Sequence, residues 1–258
     1  MRRVPTRTIT FTSVNTFLNL NTLNVIQRAQ YEQAVIKAFP PIISESPVIK
    51  KNWSKLEKYF PEYQQFLIST DGQLVGFINA IPFNFQDPLD QLPQNGWDWM
   101  FEKGITDYEN KLVPNYLGGL QVIVRMEYQK LGFSKEILNH AKTVFKSSNL
   151  LNLVIPIRPT KKHKFPEMPM SIYIDLKEHN EIYDPWIRTH VKGGAQIIKI
   201  CDQSMMMNGD IKFWESMLNR EISESGKYKL DGALELITID LENNWGQYIE
   251  PNIWIKYN

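Results

Sequence analysis

The sequence predicts one domain of the mixed α/β class. Short apolar runs with strand character alternate along the chain with segments whose apolar residues recur at helical spacing. With 258 residues, of which 43% are hydrophobic and 22% charged, the chain can bury a large core. No segment resembles a linker, so we expect residues 1–258 to form a single domain with insertions near residues 82–114 and 202–230.

The composition argues against several classes of partner. The net charge of +1 gives no electrostatic case for nucleic acid or an anionic membrane. No apolar run approaches transmembrane length, and residues 1–20 do not read as a signal peptide. The single cysteine, Cys201, excludes an intrachain disulfide and favours the cytoplasm. His140 and His179 stand alone, so we expect no metal site.

The first third of the chain predicts a strand, two helices and a hairpin. The hairpin strands flank Asp71-Gly72, a pair that supplies the positive φ angles of a tight turn. Both helices are ended by prolines. The predicted elements are a strand at 7–14, a helix at 22–38, a helix through Trp53, Leu56 and Phe60, and strands at 65–69 and 74–78.

The middle of the chain predicts a strand at 116–124, a tight turn at 129–134 and an amphipathic helix. Gly132 lets the backbone of this turn approach a ligand closely, and Ser134 can cap the helix. Backbone N–H groups at the helix N-terminus suit phosphate oxygens. A buried strand follows at 150–157. The apolar face of the helix consists of Ile137, Leu138, Ala141, Val144 and Phe145.

The last third of the chain predicts two short helices and three strands. Asp184 is a good N-cap and Pro185 suits the first helical position, while Gly193-Gly194 ends this helix. The other predicted elements are strands at 195–200, 234–241 and 248–257 and a helix near 212–218.

The turn Gln129-x-x-Gly132-x-Ser134, with Met126-Glu-Tyr128 before it, resembles the pyrophosphate-binding turn of the GNAT acyltransferase superfamily. The hairpin at 71–77 and the order of the elements are also similar to that family. The resemblance implies a central mixed, mostly antiparallel sheet flanked by helices, with two diverging central strands. It also implies acetyl-CoA or another acyl-CoA as co-substrate.

The resemblance assigns the cofactor to the strand at 116–124 and to the turn that follows it. The pyrophosphate would lie on the turn, and the strand at 150–157 would diverge from its neighbour to admit the pantetheine arm. The cofactor-binding residues expected from this match are Val122, Val124, Gln129, Lys130, Leu131, Gly132, Phe133 and Ser134.

His190 is where the sequence departs from the family pattern. GNAT proteins often carry Tyr-x-x-x-Gly-Phe at the end of the equivalent helix, and its tyrosine can protonate the departing thiolate. Here His190 stands at the tyrosine position and Gly194 at the glycine position. A histidine can act as general acid, general base or hydrogen-bond donor, or it can cap the helix or pack in the core.

The histidine is similar to that of GNAT-like loading domains of polyketide synthases. Those domains use Thr and His to decarboxylate malonyl-CoA and to acylate a carrier-protein thiol. Thr160, thirty positions before His190, is the matching candidate, although it also suits an ordinary turn beside prolines. Arg158 or Arg188 could balance a malonyl carboxylate. This alternative implies an acyl carrier protein as partner.

A base that deprotonates an amine acceptor is harder to identify. Glu127 lies next to the expected acyl site, and it also fits an ion pair at the end of a strand. Asp98, Glu102 and Asp175 are further, unranked candidates. The aromatic residues of the first insertion could cover an acyl or acceptor pocket or form ordinary core; they are Trp97, Trp99 and Phe101.

Two further motifs resemble large bacterial GNAT-like proteins of unassigned substrate. They are the basic run at 161–166 and the closing run Tyr248-Ile-Glu-Pro-Asn-Ile-Trp254, together with Asp184-Pro-Trp186. The basic run could meet the 3′-phosphate of coenzyme A, an anionic acceptor or only solvent.

The sequence favours a cytoplasmic acyl-CoA-dependent N-acyltransferase in which an amine attacks the thioester directly. Catalysis would rest on positioning and on oxyanion stabilisation by strand N–H groups, with His190 as proton donor or orienter. Two alternatives stay open. One is the decarboxylating S-acyltransferase, and the other is a non-catalytic module that binds coenzyme A.

Overall fold

The computed structural model describes residues 15–148 and 150–258. The strand predicted at 7–14 lies outside these residues. The helices are α1 (Val25–Ala38), α2 (Pro41–Ser44), α3 (Pro47–Tyr59), α4 (Gly96–Glu109), α5 (Phe133–Ser147), α6 (Met170–Tyr173), α7 (Pro185–Lys192) and α8 (Ile211–Leu218). The strands are β1 (Thr16–Asn19), β2 (Gln64–Ile68), β3 (Leu74–Phe83), β4 (Tyr116–Val124), β5 (Asn152–Ile157), β6 (Lys177–Glu178), β7 (Glu181–Ile182), β8 (Gln196–Gly209), β9 (Gly226–Tyr228), β10 (Ile237–Asp240) and β11 (Trp245–Tyr257).

Nine of these strands form one sheet in the order β1-β2-β3-β4-β5-β11-β10-β9, and β8 pairs with the other edge of β11. Every pair in the sheet is antiparallel except β4 with β5. This confirms the predicted fold class, a mixed and mostly antiparallel sheet. β6 and β7 form a separate two-stranded hairpin.

Helices cover both faces of the sheet because each presents one apolar side to it. α5 and α7 pack on one face, which we call the α5 face. α1, α3, α4 and α8 pack on the opposite face, which we call the α4 face. Most of the predicted apolar side of α5 is confirmed, since Ile137, Leu138, Ala141 and Phe145 are buried, whereas Val144 is half-buried.

The hairpin turn and the start of α7 lie where the sequence predicts them. β2 and β3 form the predicted hairpin, and Gly72 has a φ of 80°. Asp71 does not share this conformation, so the positive angle falls on the glycine alone. The carboxylate of Asp184 caps α7 by accepting from the N–H groups of Trp186 and Ile187.

One predicted boundary is wrong, since the strand predicted to end at residue 200 continues as β8 to Gly209. The insertion predicted near residues 82–114 contains the long helix α4. The polar residues Asp202 and Gln203 interrupt the apolar pattern where β8 and β11 change register, which hides the continuation in the sequence. None of the described helices is both long and apolar enough to cross a membrane.

Candidate functional site

β4 and β5 separate soon after they meet. They pair over only three positions, Tyr116 with Asn152, Leu117 with Leu153 and Gly118 with Val154. Beyond Gly118, β4 runs on to Val124 beside β3, while β5 continues beside β11. The predicted divergence of the central strands is therefore confirmed, and it opens a gap between their carboxyl ends. We call this the β4–β5 gap.

Two consecutive glycines lie where the gap begins, and both leave room for close packing. A Cβ atom on Gly118 would lie 2.4 Å from the sulfur of Met100 on α4. A Cβ atom on Gly119 would lie 2.8 Å from Cγ1 of Ile155 on β5. Larger residues would therefore displace the walls of the gap.

A β-bulge shapes β4 beside the gap. Gly119 pairs with Ala80 and Gln121 pairs with Asn79, which leaves Leu120 as the extra residue. The indole Nε1 of Trp97 donates a hydrogen bond to the Leu120 carbonyl at 2.7 Å. Trp97 thus anchors α4 to the bulge and fixes the local orientation of the β4 backbone. The sequence indicated an aromatic cluster here, but no pattern in it predicts this contact.

The turn after β4 has the conformation expected of an anion-binding loop. Lys130 and Gly132 have φ angles of 65° and 88°, and residues 129–132 are exposed. The Gln129 side chain donates to the Val124 carbonyl at 3.1 Å, which holds the turn against the end of β4. α5 begins directly after Gly132, and no side chain caps it. The N-terminus of α5 can therefore receive an anion.

Ser134 was expected to cap α5, and this is wrong. The N-cap is Gly132, so Ser134 already lies within the first helical turn. Phe133 is buried and packs edge-to-face with Tyr128 at 6.1 Å between ring centroids. Val122 and Val124 are half-buried and pack on the α5 face. The eight expected cofactor residues thus follow one continuous path from the gap to the N-terminus of α5.

His190 lies inside the protein, near the C-terminal end of α7. The side chain is fully buried, its Nδ1 lies 2.8 Å from the Tyr257 hydroxyl, and its Nε2 has no partner. The Trp186 ring packs edge-on against it at 4.2 Å. Burial, with a smaller contribution from the positive charge of Lys142, lowers the pKa of His190 to about 3. The imidazole is therefore neutral at physiological pH.

Thr160 and His190 share no hydrogen bond and have different partners. Thr160 lies beside Asp184 at the start of α7, with 3.5 Å between Oγ1 and Oδ1. His190 is six residues further along this helix, an axial separation of about 9 Å. Asp184 also accepts from the Lys161 N–H and the Tyr173 hydroxyl, both at 2.7 Å. Thr160 therefore belongs to the contacts that hold the start of α7.

The two arginines proposed to balance a carboxylate are already engaged. Arg158 Nε donates to both carboxylate oxygens of buried Glu250 at 2.9 and 3.1 Å, and its Nη2 donates to the Gly232 carbonyl at 2.6 Å. Arg188 pairs with Glu181 at 3.5 Å. Glu250 belongs to the closing motif noted in the sequence, which is thus part of a buried ion pair.

The basic run at 161–166 is not uniformly solvated. Lys162 is fully buried, and its Nζ donates to the carbonyls of Phe165 and Leu234 at 3.0 and 2.7 Å. It also donates to Glu235 Oε1 at 2.8 Å. This lysine holds the loop to the segment before β10 and is not available to a phosphate.

Among the candidate bases, Asp98 has the most unusual surroundings. Its Oδ2 accepts from the Met206 N–H at 2.9 Å, while its Oδ1 is buried without a partner. Burial raises the pKa of Asp98 to about 7. Glu127 is exposed and forms an ion pair with Arg125 at the end of β4, which was the alternative to its role as a base.

The other two carboxylates are solvent-facing. Glu102 pairs with Lys51 at 3.2 Å, and Asp175 is exposed. Across residues 15–148 and 150–258, no three His, Cys, Asp or Glu side chains are grouped closely enough to hold a metal ion.

Comparisons with known proteins agree with this architecture. The arginine N-acetyltransferase avaD of Aspergillus versicolor is 28% identical over 254 residues, covering 88% of this chain and 87% of that protein. The loading GNATL domain of CurA from Lyngbya majuscula superposes with a TM-score of 0.54 at 15% identity, covering 95% of this chain and 98% of that domain. No family model matches the chain. The curated relative is fungal, whereas the sequence motifs resembled bacterial proteins.

Proposed function

Because the chain has the GNAT fold and a sequence similar to that of an acetyltransferase, we take it to belong to the GNAT superfamily and propose that it is an acyl-CoA-dependent N-acyltransferase. It would transfer an acetyl or other short acyl group to an amine by direct attack. The observation that carries the proposal is the continuous path from the β4–β5 gap to the uncapped N-terminus of α5. We also propose the cytoplasm as its location, since Cys201 leaves no intrachain disulfide to form.

The cofactor would bind along this path. The pyrophosphate would accept hydrogen bonds from backbone N–H groups of the turn at 129–134, which the positive end of the α5 dipole favours. Exposed Lys130 adds a positive charge beside it. The pantetheine arm would enter the gap between β4 and β5, with the thioester near the Leu120 bulge.

Catalysis would then rest mainly on positioning. The amine nitrogen attacks the carbonyl carbon, the C–S bond breaks to release the thiolate of coenzyme A, and the proton lost by the nitrogen passes through solvent to that thiolate. Strand N–H groups beside the bulge would stabilise the developing oxyanion. Because its pKa is about 3, His190 would be neutral. It would orient its neighbours through hydrogen bonds and would not act as a cationic acid. We do not assign the base to Glu127, because it lies beside the turn at 129–134 and pairs with Arg125.

The acceptor we propose is a small amine, with L-arginine as the first candidate, because the curated relative is named for that substrate. The likeness to the CurA loading domain keeps the decarboxylating S-acyltransferase as a second candidate, with an acyl carrier protein as its partner. The engagement of Thr160 with Asp184 and of His190 with Tyr257 weighs against it. A non-catalytic module that binds coenzyme A is the third possibility.

The test combines binding and turnover. Gly132→Glu places a carboxylate at the turn, whereas Gly72→Glu makes the same change at another exposed glycine with positive φ and open space. Calorimetry should show acetyl-CoA binding to the wild type and to Gly72→Glu, and none to Gly132→Glu. Binding by none of the three proteins would contradict the proposal.

Mass spectrometry of the products separates the three activities. Acetyl-arginine formed from acetyl-CoA supports the N-acyltransferase. Release of carbon dioxide from malonyl-CoA supports the decarboxylase instead, and binding without any turnover supports the non-catalytic module.

A further inference from the structure

Three side-chain amides form a hydrogen-bonded relay across β2, β3 and β4. The Nε2 of Gln121 on β4 donates to Asn79 Oδ1 on β3 at 2.7 Å. The Nδ2 of Asn79 donates to Gln64 Oε1 on β2 at 2.9 Å. Gln64 and Asn79 are fully buried, whereas Gln121 is half-buried. The relay therefore connects the interior of the sheet with the strand beside the β4–β5 gap.

The direction of this relay is fixed by chemistry. Gln64 Nε2 donates to two backbone carbonyls, Phe60 O at 2.8 Å and Ala80 O at 3.0 Å. A carbonyl oxygen can only accept, so the amide nitrogen of Gln64 must face them and its oxygen must accept from Asn79. Asn79 in turn must accept from Gln121 through its own oxygen. The Oε1 of Gln121 is consequently left as an acceptor outside the relay.

Gln121 lies on the stretch of β4 that borders the β4–β5 gap. It follows the Leu120 bulge and lies three residues beyond the last β4–β5 pair. Ile123, two residues on, packs with α1 on the α4 face, so Gln121 projects to that face, while Val122 faces α5. Among the residues that the structure describes, no group donates a hydrogen bond to Gln121 Oε1.

The Tyr31 hydroxyl on α1 is a second polar group beside the relay. It is buried, and the side chains of Trp53, Asn79 and Glu57 lie near it, although none of them meets the geometry of a hydrogen bond. The relay is thus bordered by further polar side chains on the side of α1.

We propose that Gln121 binds the amine acceptor through Oε1, an inference that rests on the proposed function. The turn at 129–134 leads into α5. A cofactor whose pyrophosphate binds at this turn therefore approaches the gap from the α5 face. An amine that attacks the thioester directly must then come from the α4 face, where Gln121 lies. An N–H of the amine donates to Gln121 Oε1, which directs the nitrogen lone pair towards the gap. A thiol is a poor donor for this acceptor, so the arrangement suits N-acylation.

Gln121→Met tests this role because methionine has similar length but no polar acceptor of comparable strength. At saturating acetyl-CoA, we expect kcat/KM for L-arginine to fall about tenfold, the effect of one lost hydrogen bond, while the Kd for acetyl-CoA stays unchanged. Gln86→Met is the control, since exposed Gln86 bonds only Asn84. Asn79→Leu keeps Gln121 but frees it from the relay, and it should also lower kcat/KM for arginine.

The other outcomes overturn the assignment. If Gln121→Met weakened acetyl-CoA binding as much as it lowered kcat/KM for L-arginine, Gln121 would hold the pantetheine arm and not the acceptor. Wild-type kinetics in both Gln121→Met and Asn79→Leu would leave Gln121 with no role. A wild-type protein that binds acetyl-CoA yet acylates no primary amine would overturn the proposed function itself. This outcome is distinguishable from failure of the Gln121 assignment, because it is seen in the wild type without any variant.

Discussion

Acidification should destabilise the protein through His190. This imidazole is fully buried, its Nε2 has no partner, and Lys142 is the charged group that acts on it. Protonation would place an uncompensated charge in the core beside Trp186 and Tyr257. The native state therefore binds the proton of His190 far more weakly than the unfolded chain does.

The size of the effect follows from the two pKa values. Folding lowers the pKa of His190 from 6.5 to about 3. Because the folded pKa is depressed, its contribution is fully present above pH 6.5 and is lost progressively as the pH falls towards 3. Each pH unit in that window costs about 1.4 kcal/mol, so the step from pH 7.5 to 5 should remove about 2 kcal/mol of unfolding free energy.

Urea unfolding at pH 7.5, 6.5, 5.5 and 5.0 measures this loss, and His190→Gln isolates it from other titrating groups. The wild type should lose about 2 kcal/mol more than His190→Gln across the series. His163→Gln, at a half-buried loop position, should retain the wild-type dependence. Parallel curves for wild type and His190→Gln would refute the inference that the buried imidazole is neutral.

Three further changes probe the site. Trp97→Phe should lower the free energy of unfolding by about 1–3 kcal/mol, because the Leu120 carbonyl loses its donor, and it should lower kcat more than the affinity for acetyl-CoA. The control Trp99→Phe should leave the ratio of kcat to acetyl-CoA affinity unchanged. Equal behaviour of the two variants would argue against the role of Trp97 as an anchor. Gly118→Ala should cost about 1–3 kcal/mol in thermal or urea unfolding, since its methyl group would lie 2.4 Å from a methionine sulfur. Asp98→Asn should gain stability relative to wild type as the pH rises from 5 to 8, because burial raises the pKa of Asp98 to about 7 and its charged form is disfavoured; no gain would contradict that.

Local chemistry made much of the fold predictable. The turn at 129–134 needs a residue that accepts positive φ, and Gly132 supplies it directly before α5. The start of α7 was predictable because Asp184 and Pro185 are suited to the N-cap and the first helical position. In both cases the determining residues lie within a few positions of each other.

The rest depends on contacts between distant parts of the chain. The donor of the Leu120 carbonyl is Trp97, 23 residues away, and the partner of Gln64 is Asn79 on the neighbouring strand. The burial of His190 depends on Tyr257, 67 residues later. Composition and periodicity carry no information on such pairings, so the relay that we propose for the acceptor side is not predictable from the sequence.

The proposed cofactor site depends on β11, a strand from the C-terminal end of the chain. Only three residue pairs tie β5 to β4, whereas β11 lies along β5 with five pairs and also joins β8 and β10. One wall of the gap is therefore held in place mainly by a strand that begins 88 residues after β5 ends. Because of this sequence separation, we expect the gap to form late in folding. A ligand lodged in it would slow the opening of β11, and hydrogen exchange would register the bound cofactor in amides that never touch it.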